Sequence, residues 1–208
     1  MSEIEMVIRP VGAPEGYEVK LTGALEPEVS ETDRVVTFDP ANRGAVDHVS
    51  LLASKSVPIG EVVPEITLHS LSGGEVQLQD FRGRVVVIDL WATWCAPCWK
   101  ALEYAEELGA SVKTSGLPVT VLAVSTLERA PTHAEKREHV ARFWRSKGFK
   151  METLLDLDGH FLDALGYPGL PSTIVIAPDG TLFRHHLGLS PDMVATLQAD
   201  VRDALEQQ

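Results

Sequence analysis

The hydrophobic pattern changes near residue 58, and the chain beyond that point alternates between buried strands and amphipathic helices. Residues 84–91 and 117–125 are continuous apolar runs rich in β-branched side chains, which is typical of strands covered on both faces. Residues 173–176 form a shorter run of the same kind. The Ser-Gly-Gly sequence at residues 72–74 separates two short apolar segments and predicts a hairpin before the first run.

Helical periodicity marks the longer segments between these runs. Over residues 101–112, 132–147 and 191–206, apolar side chains recur at three- and four-residue steps with charged residues between them. The remaining predicted elements are a strand, a short helix and a hairpin strand, at residues 153–155, 160–165 and 182–186. This order predicts an α/β fold, a mixed central sheet with helices on both faces. Ligands approach such sheets at the carboxyl ends of the strands.

The N-terminal residues differ from the rest, and we expect them to form a small β-rich extension. An alternating segment at residues 17–21 and an apolar one at 34–38 predict two short strands among many turn residues. A loosely ordered arm is the alternative. The expected domains are therefore residues 1–57, an extension with no assigned role, and residues 58–208, the α/β domain.

Composition and charge exclude several classes of function. The net charge of −12, from 18 basic and 30 acidic residues, argues against nucleic acid or an anionic membrane as a partner. No stretch approaches the roughly 20 apolar residues of a membrane span, and the N-terminus lacks the basic and apolar regions of a signal peptide. We expect a cytoplasmic monomer as the sequence stands. The alternative is a periplasmic or other extracytoplasmic protein from which a leader was removed.

The chain has two cysteines, Cys95 and Cys98, and both lie where the first buried strand meets the following helix. Two thiols at this spacing can close a disulfide and act as a reversible two-electron switch. Cys95 comes at the helix N-terminus, where unpaired N–H groups and the helix dipole favour a thiolate. Pro97 fits only the first helical turn, where its missing N–H loses no bond. We infer that Cys95 attacks and that Cys98 resolves.

Asp89 interrupts the apolar run six residues before Cys95. One interpretation is a carboxylate at the end of a strand that points to solvent. The functional interpretation is a partly buried acid behind the cysteine pair, with a pKa that burial raises toward neutrality. Such a group could exchange a proton with Cys98 while a mixed disulfide resolves.

Two segments resemble a known superfamily. Residues 87–98, VIDLWATWCAPC, resemble the active-site segment of the thioredoxin superfamily, and residues 169–173, GLPST, resemble its cis-proline loop. Taken alone, the second segment would favour a trans proline, because only about one X–Pro bond in twenty is cis. The lead-in hairpin and the long segment after the second strand are similar to the TlpA-like branch of bacterial thiol–disulfide oxidoreductases. The resemblance covers about residues 58–206 and implies a thioredoxin-like three-layer sandwich.

The resemblance also implies an activity. The protein would be a thiol–disulfide oxidoreductase that exchanges disulfides with protein substrates, as a reductant, and that a further partner re-reduces. It would need no cofactor beyond the Cys95–Cys98 disulfide. The Ala-Pro dipeptide between the cysteines differs from the Gly-Pro of typical thioredoxins, so the redox potential does not follow. Cytochrome maturation and general cytoplasmic reduction are both open as its role.

Several site residues follow from the resemblance alone. Pro171 would be cis and would face the cysteines, and Leu170 would offer its backbone to an extended substrate segment. Asp89 aligns with the buried acid of thioredoxins, whereas TlpA-like proteins often carry Asn there, which favours a proton-transfer step. The other expected substrate contacts are Trp94, Ala96 and Pro97.

Two other functions fit the sequence less well. A peroxiredoxin-like peroxidase, which shares the fold, needs a threonine three residues before its peroxidatic cysteine, where this chain has Ala92. A metal-binding or metallochaperone module would find only two of the four ligands of zinc in one Cys-x-x-Cys, and we predict no metal site. A purely structural disulfide is disfavoured by the strand–helix context and by the Pro171 loop.

Overall fold

The computed structural model describes residues 3–8, 19–24, 56–167 and 169–207. The chain forms two compact units, Met1–Ala53 and Ser54–Gln208. In the first unit, β1 (Glu3–Ile8) and β2 (Val19–Ala24) form an antiparallel pair. The strand expected at residues 17–21 overlaps β2, β1 was not predicted, and the segment at 34–38 lies outside the described residues.

A seven-stranded mixed sheet forms the centre of the second unit. Its strands are β3 (Thr67–Ser70), β4 (Glu75–Gln77), β5 (Val85–Trp91), β6 (Val119–Ser125), β7 (Glu152–Leu155), β8 (Ser172–Ile176) and β9 (Leu182–Leu187). They lie in the order β4-β3-β7-β6-β5-β8-β9. Strands β5, β6 and β7 run parallel, whereas β3, β4, β8 and β9 add antiparallel pairings at the two sides. The predicted hairpins and buried strands are thus confirmed.

Four α-helices complete the described part of this unit: α1 (Ala96–Ser115), α2 (His133–Lys147), α3 (His160–Leu165) and α4 (Met193–Glu206). A capping box, in which Thr132 and Glu135 bond to each other's backbone, begins α2. Helix α1 ends at Gly116, whose φ of 68° is the left-handed conformation that glycine adopts most readily. No helix in the described ranges has the length and apolar character needed to span a membrane.

Alternating side chains of β5 point into two different cores. Val86, Ile88 and Leu90 pack on one face of the sheet with α3, through side chains such as Phe161. The opposite face carries Val85 and Val87, which pack in one cluster with α1 and α4, and Trp91, which packs in another with α1 and α2. Helices therefore cover both faces of the sheet, as the sequence predicted. Since every residue of β5 is buried, the strand delivers its carboxyl end, and the start of α1, to one edge of the sheet.

Candidate active site

Cys95 and Cys98 are joined by a disulfide at the junction of β5 and α1. Cys95 is the residue that caps α1, and its carbonyl accepts a hydrogen bond from the Cys98 N–H at 3.0 Å. Pro97 lies in the first turn of the helix, as its missing N–H requires. Cys95 is 5% exposed and Cys98 is fully buried. Of the pair, only Cys95 therefore presents surface to an approaching molecule.

Asp89 lies beneath α1 and is fully buried, so its interpretation as a solvent-facing residue at a strand end is wrong. It shares the face of β5 with Val87 and Trp91, which pack against α1 on either side of it along the strand. Its Oδ1 atom accepts a hydrogen bond of 3.0 Å from the Thr173 hydroxyl of β8, while Oδ2 has no hydrogen-bond partner among the described residues. Burial raises the pKa of the carboxyl to about 7, against the opposing effect of the Thr173 hydrogen bond.

The loop before β8 brings Pro171 to the same edge of the sheet. The Leu170–Pro171 peptide bond is cis, so the expectation of a trans bond from this segment alone is wrong and that from the resemblance is confirmed. The next residue, Ser172, pairs with Leu90 near the end of β5. Leu170 is half-buried and packs against the apolar cluster that contains both cysteines. The structure therefore brings the proline loop and the disulfide together.

The expected substrate contacts differ in how far they are exposed. Ala96 and Pro97 are exposed in the first turn of α1, and Trp94 is 40% exposed beside them. Leu170 is half-buried, and Pro171 is buried. The exposed members flank the nearly buried Cys95 in the chain, so a molecule that approaches this sulfur meets Trp94 or the first turn of α1 beside it.

The sequence interpretation missed a second segment of the site, Thr126–Arg129, which follows β6. The Thr126 N–H donates to the Trp91 carbonyl at 2.9 Å, and the Leu127 carbonyl accepts a hydrogen bond of 2.9 Å from the Trp94 indole N–H. The Arg129 guanidinium lies over the Trp94 ring, 4.3 Å from its centroid. Its place in the chain could have indicated its role, because the segment follows the carboxyl end of a predicted strand and ligands approach such sheets at that end.

Glu128 of this segment holds the residue two positions before Cys95. Its carboxylate accepts hydrogen bonds from the Thr93 N–H at 2.8 Å and from the Thr93 hydroxyl at 2.6 Å. A third, of 2.8 Å, comes from the Ser125 hydroxyl. A buried carboxylate needs such donors to replace the water it loses. Glu128 thereby ties β6 to the chain that leads into the disulfide.

The two histidines of β9 have partners other than the cysteines. As predicted, His185 and His186 point to opposite faces of β9: His185 stacks on Tyr167, with ring centroids 3.6 Å apart, and His186 bonds to Asp200 at 2.6 Å. Burial, with a smaller effect of the neighbouring His186, lowers the pKa of His185 to about 4. Within the described residues, no three His, Cys, Asp or Glu side chains come together in an arrangement that could hold a metal ion.

Known proteins share this fold and this sequence pattern. The pattern of the Redoxin family matches residues 58–201. The thiol-disulfide oxidoreductase ResA of Bacillus subtilis is 28% identical over 130 residues, which cover 62% of this chain and 68% of that protein. ResA of Geobacillus thermodenitrificans is 31% identical over 125 residues, which cover 60% and 67%.

A solved structure has the same architecture. The thioredoxin domain of a thiol-disulfide oxidoreductase from Bacteroides vulgatus is 27% identical with a TM-score of 0.59, over 70% of this chain and 99% of that one. The expected thioredoxin-like sandwich is thereby confirmed.

The buried carboxyl of Asp89 makes the stability of the fold depend on pH. Its pKa of about 7 in the folded protein lies above the value of about 3.9 for an aspartate in an unfolded chain. Between these values the folded chain keeps a proton that the unfolded chain has released. The contribution of Asp89 to the free energy of unfolding therefore falls as pH rises from about 4 to about 7, and is constant above that.

We expect Asp89→Asn to remove this dependence, because an amide does not ionise. In urea unfolding of the oxidised protein, the variant should be more stable than the wild type at about pH 8, with the difference shrinking toward pH 4. Asp203→Asn, at an exposed position of α4, is the matched control and should follow the wild type at both values. A variant that tracks the wild type across this range would contradict the raised pKa.

Proposed function

Because this chain belongs to the Redoxin family, we propose that its Cys95–Cys98 pair reduces disulfide bonds in protein substrates. The chain is a thiol–disulfide oxidoreductase, and its substrates and direction are the part proposed. The observation that carries the proposal is the disulfide itself, closed at a helix N-terminus with one cysteine slightly exposed and the other fully buried. This asymmetry supports separate roles for the two sulfurs in one reaction.

The proposed reaction begins with the reduced dithiol. The Cys95 thiolate attacks one sulfur of a substrate disulfide, the substrate S–S bond breaks, and its other sulfur leaves as a thiolate. Cys98 then loses its proton and attacks the Cys95 sulfur. The mixed disulfide breaks, and the second substrate sulfur leaves. The substrate has gained two electrons, the enzyme has lost two and holds the Cys95–Cys98 bond, and a dithiol partner must supply two electrons to reset it.

The position of Cys95 supports its role as the attacking sulfur. At the cap of α1, the first N–H groups of the helix and its dipole favour negative charge, which lowers the pKa of a thiol there. The exposed Trp94, Ala96 and Pro97, with the Leu170–Pro171 loop beside them, form the surface on which a substrate would dock. Cys98 is shielded by this surface and meets the substrate only through the mixed disulfide.

Asp89 is the proposed acceptor of the Cys98 proton. It lies on the face of the sheet that α1 covers, and in the part of the chain that the structure describes no hydrogen-bond donor occupies the lone pairs of its Oδ2. A pKa of about 7 means that the carboxyl can take up a proton and release it again near neutral pH. A base behind Cys98 promotes the resolving step, and this supports a reductant that releases its substrate reduced.

No observation favours the two alternatives. Ala92 stands where a peroxiredoxin has its threonine, and it is buried in the apolar cluster around the cysteines. A metallochaperone would need ligands besides the cysteines, and among the described residues no further His, Asp or Glu joins them in an arrangement that could hold a metal ion. The cytoplasmic location and the monomeric state stay predictions.

The direction of the reaction is tested by the reduction potential of the dithiol. We expect a reduction potential of about −270 mV after equilibration with glutathione buffers, as for reductants of this fold. The fraction of reduced protein is read by alkylation and mass spectrometry. A reduction potential of about −120 mV would contradict the proposed direction and show that the protein is an oxidant.

The roles of the two sulfurs are tested by trapping. Cys98→Ser cannot resolve the mixed disulfide, so we expect it to form a covalent complex with a protein that has intact disulfides, such as insulin. The complex is detected on a non-reducing gel and identified by mass. Cys95→Ser, which retains only the buried sulfur, is the control and should trap nothing. Equal trapping by both variants would reverse or abolish the assignment.

The role of Asp89 is tested by the pH dependence of the resolving step. The carboxylate form acts as the base, and it is present above a pH of about 7. Asp89→Asn should therefore slow resolution by at least about tenfold at pH 8 and have little effect near pH 5. Stopped-flow mixing of the reduced enzyme with a peptide disulfide measures the step.

Thr173→Val is the companion variant for this test. It removes the hydrogen bond that lowers the Asp89 pKa, so the midpoint of the profile should move to higher pH while the base itself remains. Identical profiles for wild type and Asp89→Asn would show that Asp89 takes no part in proton transfer.

A further inference from the structure

The segment Thr126–Arg129 is anchored so that its backbone cannot easily shift. In addition to its bond to the Trp91 carbonyl, Thr126 donates from its hydroxyl to the Asp156 carboxylate at 2.8 Å. On the other side of Leu127, Glu128 holds Thr93 through two hydrogen bonds. Leu127 therefore lies between two fixed points, next to the chain that leads into Cys95.

Leu127 has an unusual conformation for a leucine. Its φ of 55° lies in the left-handed region, and among the described residues it is the one non-glycine residue with positive φ. This conformation is unfavourable for a side chain with a Cβ. Packing in the core does not compensate for it, since Leu127 is 41% exposed. Backbone strain that persists beside an active site is a reason to look for a functional role.

Trp94 and Arg129 lie next to Leu127 and form an exposed surface together with it. The Trp94 indole is fixed by its hydrogen bond to the Leu127 carbonyl, and the Arg129 guanidinium stacks on its ring. Arg129 is exposed, and within the described part of the chain it forms no ion pair, although the protein has 30 acidic residues. The guanidinium is thus held in place and available to a carboxylate from another molecule.

We propose that Leu127, Arg129 and Trp94 form a recognition surface beside Cys95 for a substrate segment that carries an acidic residue next to an apolar one. This inference rests on the proposed function and names the class of substrate. An arginine fork binds a carboxylate through paired hydrogen bonds, which gives both attraction and orientation. The exposed Leu127 side chain offers apolar contact to the neighbouring residue of the substrate.

Charge complementarity favours an acidic substrate segment over a basic one at this position. The net charge of −12 repels acidic molecules at long range, so without a local cation an acidic segment would be rejected. Arg129 supplies a positive charge where the substrate would touch the enzyme. A basic segment would meet the guanidinium directly and be repelled at close range.

Three matched peptides test the charge preference. They share one disulfide and one apolar residue, and differ only in having Glu, Gln or Lys beside it. The wild type should reduce them in the order Glu, Gln, Lys, with kcat/KM falling about threefold at each step. Arg129→Gln should abolish the preference for Glu and leave the Lys peptide equal or preferred, because of the net charge of −12, and Arg129→Glu should favour the Lys peptide more strongly. Arg202→Gln is the control, because Arg202 is exposed on α4, which leads away from this edge of the sheet.

Leu127→Gly separates recognition from structure. Glycine adopts positive φ without strain, so the variant should match or exceed the wild type in thermal stability. Its KM for a peptide with leucine beside the acidic residue should rise about threefold or more, and its KM for the alanine analogue should change less. If Leu127 were only structural, stability would fall and the two peptides would respond alike.

The reduction of 2-hydroxyethyl disulfide, which is small and uncharged, separates this inference from the proposed function. If the wild type reduces neither this compound nor any peptide, the proposed function fails. If it reduces the compound and all three peptides equally well, the dithiol is active and only the recognition surface is refuted. A charge preference that Arg129→Gln leaves intact would refute it as well.

Discussion

The burial of β5 on both faces is the constraint on which the other features of the site depend. The strand pairs along its whole length with β6, and along most of it with β8, so its direction and its end point are fixed by its neighbours. Helix α1 must begin where this strand leaves the sheet, and Cys95 caps that helix. The same pairing with β8 carries the Pro171 loop to the disulfide. A dithiol on a surface loop would have neither the helix N-terminus nor this neighbour.

Two buried carboxyls, those of Glu128 and Asp89, lie near the disulfide, and they differ in the number of hydrogen bonds that they accept. Glu128 receives three hydrogen bonds from Thr93 and Ser125, which replace its lost hydration. Within the described ranges, Asp89 receives one, from Thr173, and its second oxygen receives none. A carboxyl that is buried and poorly solvated holds its proton more tightly, and this is why the pKa of Asp89 lies near neutrality. Glu128 is therefore suited to hold Thr93 in position, and Asp89 is suited to transfer a proton.

The accuracy of the sequence prediction depended on whether a feature is set by neighbouring residues or by residues far away in the chain. The long helices and the buried strands were predicted closely, because their periodic patterns repeat within a few residues. The loop at Pro171 was misjudged from its own residues, because cis is the rarer form of an X–Pro bond and the loop sequence alone does not distinguish the two forms. The role of Thr126–Arg129 was missed, because its partners Thr93 and Trp94 lie more than thirty residues away in the chain.

The sequence by itself determined the two cysteines, their spacing, and their place between a buried strand and an amphipathic helix. These are local properties, since hydrophobic period and the fit of Pro97 in a first helical turn need no distant contact. Only the tertiary structure decided that Asp89 is fully buried and that Leu127 is held in a left-handed conformation beside Trp94. Burial depth, pKa and backbone strain depend on what the pairing of strands places around a residue, and no stretch of sequence contains that information alone.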